Sequence, residues 1–278
     1  MIYTTLDRLT RRWWFYLLVV LLFFLPTQAE KAFDPRETPR VLAEAMPNAL
    51  AYSVPALFPL FKLLPLLAVI ALALFGRRAG RAFAAYAGIN LLLIAVFQSI
   101  AETETFGLVV IWGNLLVYLL VALLWIWEAF AGRNDFSPAH RPLWKYWVVF
   151  PALLAFWFPM RSTSPAPDFS LAAFLANGAG LTGCMMVPVY LAVLSVIHPK
   201  ANLPLMRVTA FAGFITGIMN VLQWFVFLPA AWWAGVVHLP LLSVSAYALL
   251  LTGRGEGGTP AEGAVPSASL PTGNRKLR

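Results

Sequence analysis

The sequence predicts an all-α, polytopic transmembrane bundle of eight helices, and three observations carry that prediction. Sixty per cent of the 278 residues are hydrophobic. Only 12% are charged, about half the share of an ordinary soluble domain. The apolar residues also fall into runs near the length of about 17 to 25 residues that a helix needs to cross a bilayer. Backbone amides in lipid must satisfy one another, so each such run is expected to be helical.

The eight expected spans are 13–28, 52–75, 82–100, 106–130, 142–160, 171–197, 208–228 and 232–252. The first follows Arg11 and Arg12 and ends LPTQA before Glu30, which is also how a signal peptide cleaved after Ala29 would read. The second holds Pro55, Pro59, Pro65 and a lone cation, Lys62. The third and fourth are joined by AETET (101–105), expected to be a tight outer hairpin with Glu102 and Glu104 at its tip. The fifth is the weakest, since it contains Lys145 and Pro151; Lys145 can snorkel to the inner interface. The sixth is interrupted by Gly178, Gly180, Gly183 and Pro188. The seventh and eighth carry the stripes described below. The longest outer loop, 30–51, includes VLAEAM, expected to be a short surface helix. Residues 253–278 are rich in Gly, Pro, Ala and Ser and predict a disordered cytoplasmic tail.

Charge orients the bundle. With the N-terminus inside, fifteen of the twenty basic residues fall in inner segments and four in outer ones; Lys62 is the remaining one. This follows the positive-inside rule and predicts cytoplasmic termini in a plasma membrane protein. Tryptophans cluster near the expected inner and outer ends, as indoles do at the headgroup level. The net charge of +8 is thereby explained by topology, with lipid as the partner and no nucleic acid implied. The single cysteine, Cys184, rules out an intramolecular disulfide and disfavours thiolate metal sites.

No H-E-x-x-H, G-x-S-x-G, Walker A or dinucleotide fingerprint occurs, and no cofactor is implied. His140 and His198 lie in or beside inner loops, so His238 has no second histidine with which to hold a haem. Glu128, beside Trp127, reads as a boundary charge. Polar residues line up at helical spacing instead: Asn90, Gln98 and Glu102; Asn114 and Tyr118; Thr209, Thr216, Asn220 and Gln223; His238, Ser245 and Thr252. An amide facing lipid is costly, so these stripes are expected to face inward. Small-residue ridges at Gly76, Gly80, Ala84 and Gly88, at Ala176, Gly180 and Cys184, and at Gly213 and Gly217 predict close helix contacts. Lys62 is expected to pair with Glu102 or to snorkel.

The leading functional expectation is a carrier or permease for a small polar or anionic solute, binding at Lys62, Asn90, Gln98, Glu102, Asn220, Gln223 and His238. Paired interruptions in the second and sixth helices point the same way. The runner-up is a non-catalytic subunit or assembly factor of a larger membrane complex, with other membrane subunits as partners. A lipid-modifying enzyme using Glu102, Glu104 and His238 comes third. A carrier should show a polar cavity, a subunit a dry interior with an exposed small-residue face, and an enzyme His238 within reach of a carboxylate.

Overall fold

Helix occupies most of the chain, and the departures from helix occur where proline, glycine or β-branched residues interrupt the apolar runs. A computed structural model describes residues 2–137, 142–161 and 164–254; the expected tail lies outside them from residue 255 onward. Helices α1 (Ile2–Leu9) and α2 (Trp13–Phe23) lead to strand β1 (Gln28–Ala29) and helix α3 (Thr38–Ala45). Then come α4 (Phe58–Phe75), α5 (Arg77–Phe97), strands β2 (Ile100–Thr103) and β3 (Gly107–Val110), and α6 (Trp112–Ala131). The remainder is α7 (Val149–Trp157), α8 (Leu171–Leu175), α9 (Gly183–Ile197), α10 (Leu203–Val221) and α11 (Trp232–Arg254).

Among the described residues five helices are long and apolar enough to cross a membrane: Pro55–Phe75, Arg77–Phe97, Trp112–Ala131, Leu203–Phe227 and Pro229–Gly253. A sixth crossing is available if Leu171–Leu181 and Gly183–Ile197, which meet at 87°, count as one. The expected first and fifth spans are shorter apolar helices, Trp13–Phe23 and Leu143–Trp157. Each stops at a proline. Pro26 follows the first, and Pro159 follows Phe158, whose φ is +50°. A residue before proline is steered away from helical dihedrals, so neither run can continue.

The expected fourth span needs correcting at its start. Residues 107–110 form β3, and α6 begins only at Trp112. Nor is AETET merely a turn: Ala101, Glu102 and Thr103 pair with Val109, Leu108 and Gly107 as an antiparallel hairpin. β1 adds on the other side, giving the strand order β1-β3-β2. Valines suit a pleated strand, and Gly107, at φ +68°, supplies the left-handed residue the turn demands. Thr103 holds the turn by accepting the Phe106 N–H at 3.1 Å and donating to the Gly107 carbonyl at 3.1 Å. The short helix expected at VLAEAM exists as α3. It packs Val41 and Ala45 on Ala101, Phe106 and Val109 of this sheet.

The opposite end of the bundle gathers the basic residues. Arg207 on α10 donates to Asp7 on α1 at 2.8 Å, and Lys145 donates to the His198 carbonyl at 2.9 Å. Lys200 pairs with Asp135 at 3.3 Å, and Arg133 lies over the Tyr3 ring. Trp147 packs on Tyr247 near the end of α11, so both ends of the described chain lie at this basic end.

Between the ends, α9 is buried along nearly its whole length by α7, α10 and α11. Apart from exposed Ala176, the small-residue ridges are spent inside the fold. Gly80 lies against Phe136, Gly88 against Ile126, and Gly217 against the backbone of Leu242.

Candidate functional site

Site geometry follows from the 87° elbow between the Leu171–Leu181 segment and α9. Asn177 caps the 3-10 turn Gly178–Leu181, and its side-chain Oδ1 accepts the Ala179 N–H at 3.1 Å. Thr182 is extended, and α9 starts afresh at Gly183. The elbow fits against its neighbours only because its glycines lack side chains. A methyl group on Gly180 would lie 2.2 Å from the Phe61 carbonyl oxygen of α4, and one on Gly183 would lie 2.1 Å from the Tyr118 hydroxyl of α6.

Three of the sequence-predicted residues meet there. Gln98, at the end of α5, accepts the Gly183 N–H at 2.8 Å. That N–H opens α9 and has no partner within its own helix. Asn90, two turns earlier on α5, donates to the Gly180 carbonyl at 2.8 Å and accepts from the Tyr190 hydroxyl at 2.7 Å. Asn220 on α10 donates to Cys184 Sγ at 3.5 Å and to the Thr216 carbonyl at 2.9 Å, and Trp224 donates to its oxygen at 3.3 Å. Two helices, α5 and α10, thus present three amides to one helix start, where the dipole favours negative charge.

Lys62 belongs to the same neighbourhood but not to the expected pair. Its ammonium donates to the Phe156 carbonyl, and to that of Trp157 at 3.4 Å. It lies 4.7 Å from the ring centres of both Phe156 and Phe174. These carbonyls end α7 and have no helical partner beyond Phe158, so a buried cation satisfies them. Asn177 assists, donating to the Trp157 carbonyl at 3.0 Å. Glu102 is exposed on β2 and makes no ion pair with Lys62. Glu104 is exposed too, and its carbonyl accepts from Lys31 at 2.9 Å.

His238 and Gln223 stand apart. His238 Nδ1 meets the carbonyl of Ala234 on its own helix at 2.6 Å, and its ring stacks on Trp224. Among the described residues no carboxylate hydrogen-bonds it, so the pairing that acid–base chemistry would need is not made. Gln223 follows in the π-helical turn Leu222–Phe227 and contributes no hydrogen bond to the elbow. The cavity beside the site, about 410 Å³, is walled by apolar side chains of α4, α7 and α9 and contains none of Asn90, Gln98, Asn220 or Gln223. The polar groups are knitted together and closed off from it. No group of three His, Cys, Asp or Glu side chains able to hold a metal occurs among the described residues.

Several working residues were missed from sequence. Asn177 stands before a Gly-rich run, a signal for a turn rather than a span, and Tyr190 stands a hundred residues from the Asn90 it serves. Glu128 is no boundary charge. It is buried and accepts the Asn134 N–H at 2.6 Å and the Asn202 amide at 2.6 Å. Nothing local in WIWEAF shows that two distant asparagines converge on it.

Comparison with protein-family models, with curated proteins and with solved structures finds no match to this chain.

Proposed function

We propose that this multi-pass membrane protein is a carrier for a small polar or anionic solute, which binds at the elbow between Thr182 and Gly183. One observation carries the reading: a broken membrane segment whose second half-helix starts among Gln98, Asn90 and Asn220 from neighbouring helices. Half-helix starts of this kind offer free amides and a positive dipole end to an anionic group. Here Gln98 takes the place that a solute oxygen would occupy at the Gly183 N–H. Binding would exchange one acceptor for another, and the closed cluster is the state in between.

The proposal places both termini in the cytoplasm and keeps eight crossings. Both ends of the described chain sit at the basic end, which requires an even number of passes. The short α2 and α7 segments then finish their crossings in extended chain, and the elbow segment counts as one.

Cys184 gives a test that needs no known substrate. A carrier must open its site to water during the cycle, so the native thiol should react with a small water-soluble methanethiosulfonate in intact membranes within minutes. A panel of small carboxylates and other polar solutes should include one that slows the reaction. A thiol that stays inert in the folded protein, yet reacts at once on denaturation, would rule the carrier out.

A second reading, a non-catalytic subunit, draws support from the mutual satisfaction of the interior amides. It does not gain from the small-residue ridges, which are buried within the chain except at exposed Ala176. Co-purification of fixed membrane partners in equal amounts would favour it.

A further inference from the structure

The 410 Å³ cavity lies between α4 on one side and α7 with α9 on the other. α4 leans on α5 and on the turn Gly178–Leu181, while α7 packs on α9. The two groups are tied together at one level, where Lys62 reaches Phe156, and enclose the cavity between them beyond it. The walls there are apolar: Val69 and Ala73 from α4, Val149 from α7, and Val193 and Val196 from α9. The groove runs along α4 from Pro65 to Gly76. Eleven residue steps at 1.5 Å give about 16 Å, close to one leaflet of a hydrocarbon layer of about 30 Å.

Its two ends differ. The deep end is stopped by Phe156, whose ring faces the Lys62 ammonium. The other end, at Gly76, Tyr146 and Ile197, opens at the basic end of the bundle. Arg77 and Arg78 directly follow Gly76, are exposed, and form no ion pair among the described residues. Lys145 is held there by the His198 carbonyl. Asp135, the nearby carboxylate, is already engaged by Lys200 and Ser137. Exposed Trp144 and Trp147 mark this end as headgroup level.

We infer that this groove is a binding site for one acyl chain of an anionic phospholipid from the leaflet at the basic end, with its headgroup held by Arg77, Arg78 and Lys145. Length and charge choose this occupant. A membrane-spanning helix needs about 30 Å and would collide with the closed deep end. A single acyl chain fills one leaflet's depth. Arg77 and Arg78, next in sequence to the lining residue Gly76, favour a phosphate that carries net charge, at about 1 kcal/mol per basic residue, or roughly thirtyfold for two. The site is separate from the elbow, and its occupancy does not depend on solute transport.

The test uses the full-length protein, purified in detergent, stripped of lipid and examined by native mass spectrometry with phosphatidylglycerol or phosphatidylcholine of matched chains. One phosphatidylglycerol should stay bound, preferred over phosphatidylcholine by at least about tenfold. Val193→Trp or Ala73→Trp, which fill the groove from opposite walls, should each abolish retention. Leu74→Trp, on the outward face, should not. Arg77→Gln with Arg78→Gln should keep a bound lipid but bring the preference close to one. Retention of no lipid, equal retention of both by the unaltered chain, or undiminished binding to Val193→Trp and Ala73→Trp would overturn the assignment. So would a photo-crosslinker at Val193 that captured a polypeptide in place of lipid.

Discussion

Glu128 illustrates how much depends on single side chains at the basic end. It joins the end of α6 to the loops carrying Asn134 and Asn202, and Asn134 in turn accepts the Asn202 N–H at 2.7 Å. Glu128→Ala would orphan two buried donors, and should lower stability by about 3 kcal/mol, read as a fall in the thermal unfolding midpoint in detergent. Asp135, nearby, is held in its ionised form by its neighbours. Hydrogen bonds from Ser137, then the pair with Lys200, push its carboxyl down to about 2 from an ordinary 3.8. A carboxyl depressed by folding stabilises the protein fully above the unfolded value and loses that contribution as pH falls toward the folded one. The acid limb between 3.8 and about 2 should therefore be shallower in Asp135→Asn than in the unaltered chain when unfolding is followed by circular dichroism. Lys62 shows the same physics without titration. It was legible in the sequence as a cation needing a partner, but the partner is a pair of main-chain carbonyls that no sequence pattern marks.

At the scale of elements, the elbow and the hairpin both rest on glycine. Gly180 touches the main chain of Phe61, which cannot rotate away as a side chain could. Gly180→Ala should destabilise by about 1–3 kcal/mol of overpacking, and a matched change at exposed Ala82 (Ala82→Val) should not. If both variants melt alike, the close approach is not tight. Gly107→Ala should cost about 1–2 kcal/mol of backbone strain and loosen the β2–β3 turn, visible as faster amide exchange at Leu108 and Val109. The glycines in 178–183 were visible as an interruption, yet their outcome was not. A run of glycines in an apolar segment reads equally as a kinked span or as a broken one, and packing against α4, α5 and α6 decides between them.

For the whole molecule, the arrangement of ends is the decisive property. With the native thiol removed (Cys184→Ala), a cysteine placed at Glu104 should be labelled in intact cells by a membrane-impermeant maleimide within minutes, and one at Arg78 only after the membrane is breached. Labelling of both in intact cells, or of Arg78→Cys alone, would reject the proposed orientation. The same orientation places the groove mouth on the cytoplasmic leaflet, where anionic lipids meet Arg77 and Arg78.

Composition and pattern by themselves determined the medium, the helical class and the grouping of cations at one end. Transfer of apolar surface and solvation of charge depend on residue type and on spacing along the chain. They also singled out Asn90, Gln98 and Asn220 as inward-facing, since an amide in lipid needs a partner wherever it stands. Only the tertiary structure decided who those partners are. Gly183, Cys184, Tyr190 and the Gly180 carbonyl come to these side chains from 85 to 100 residues away in the longest cases, as Gln98 to Gly183 and Asn90 to Tyr190 show. Contacts at such separations are set by how helices pack and where they break, and those are collective properties of the bundle.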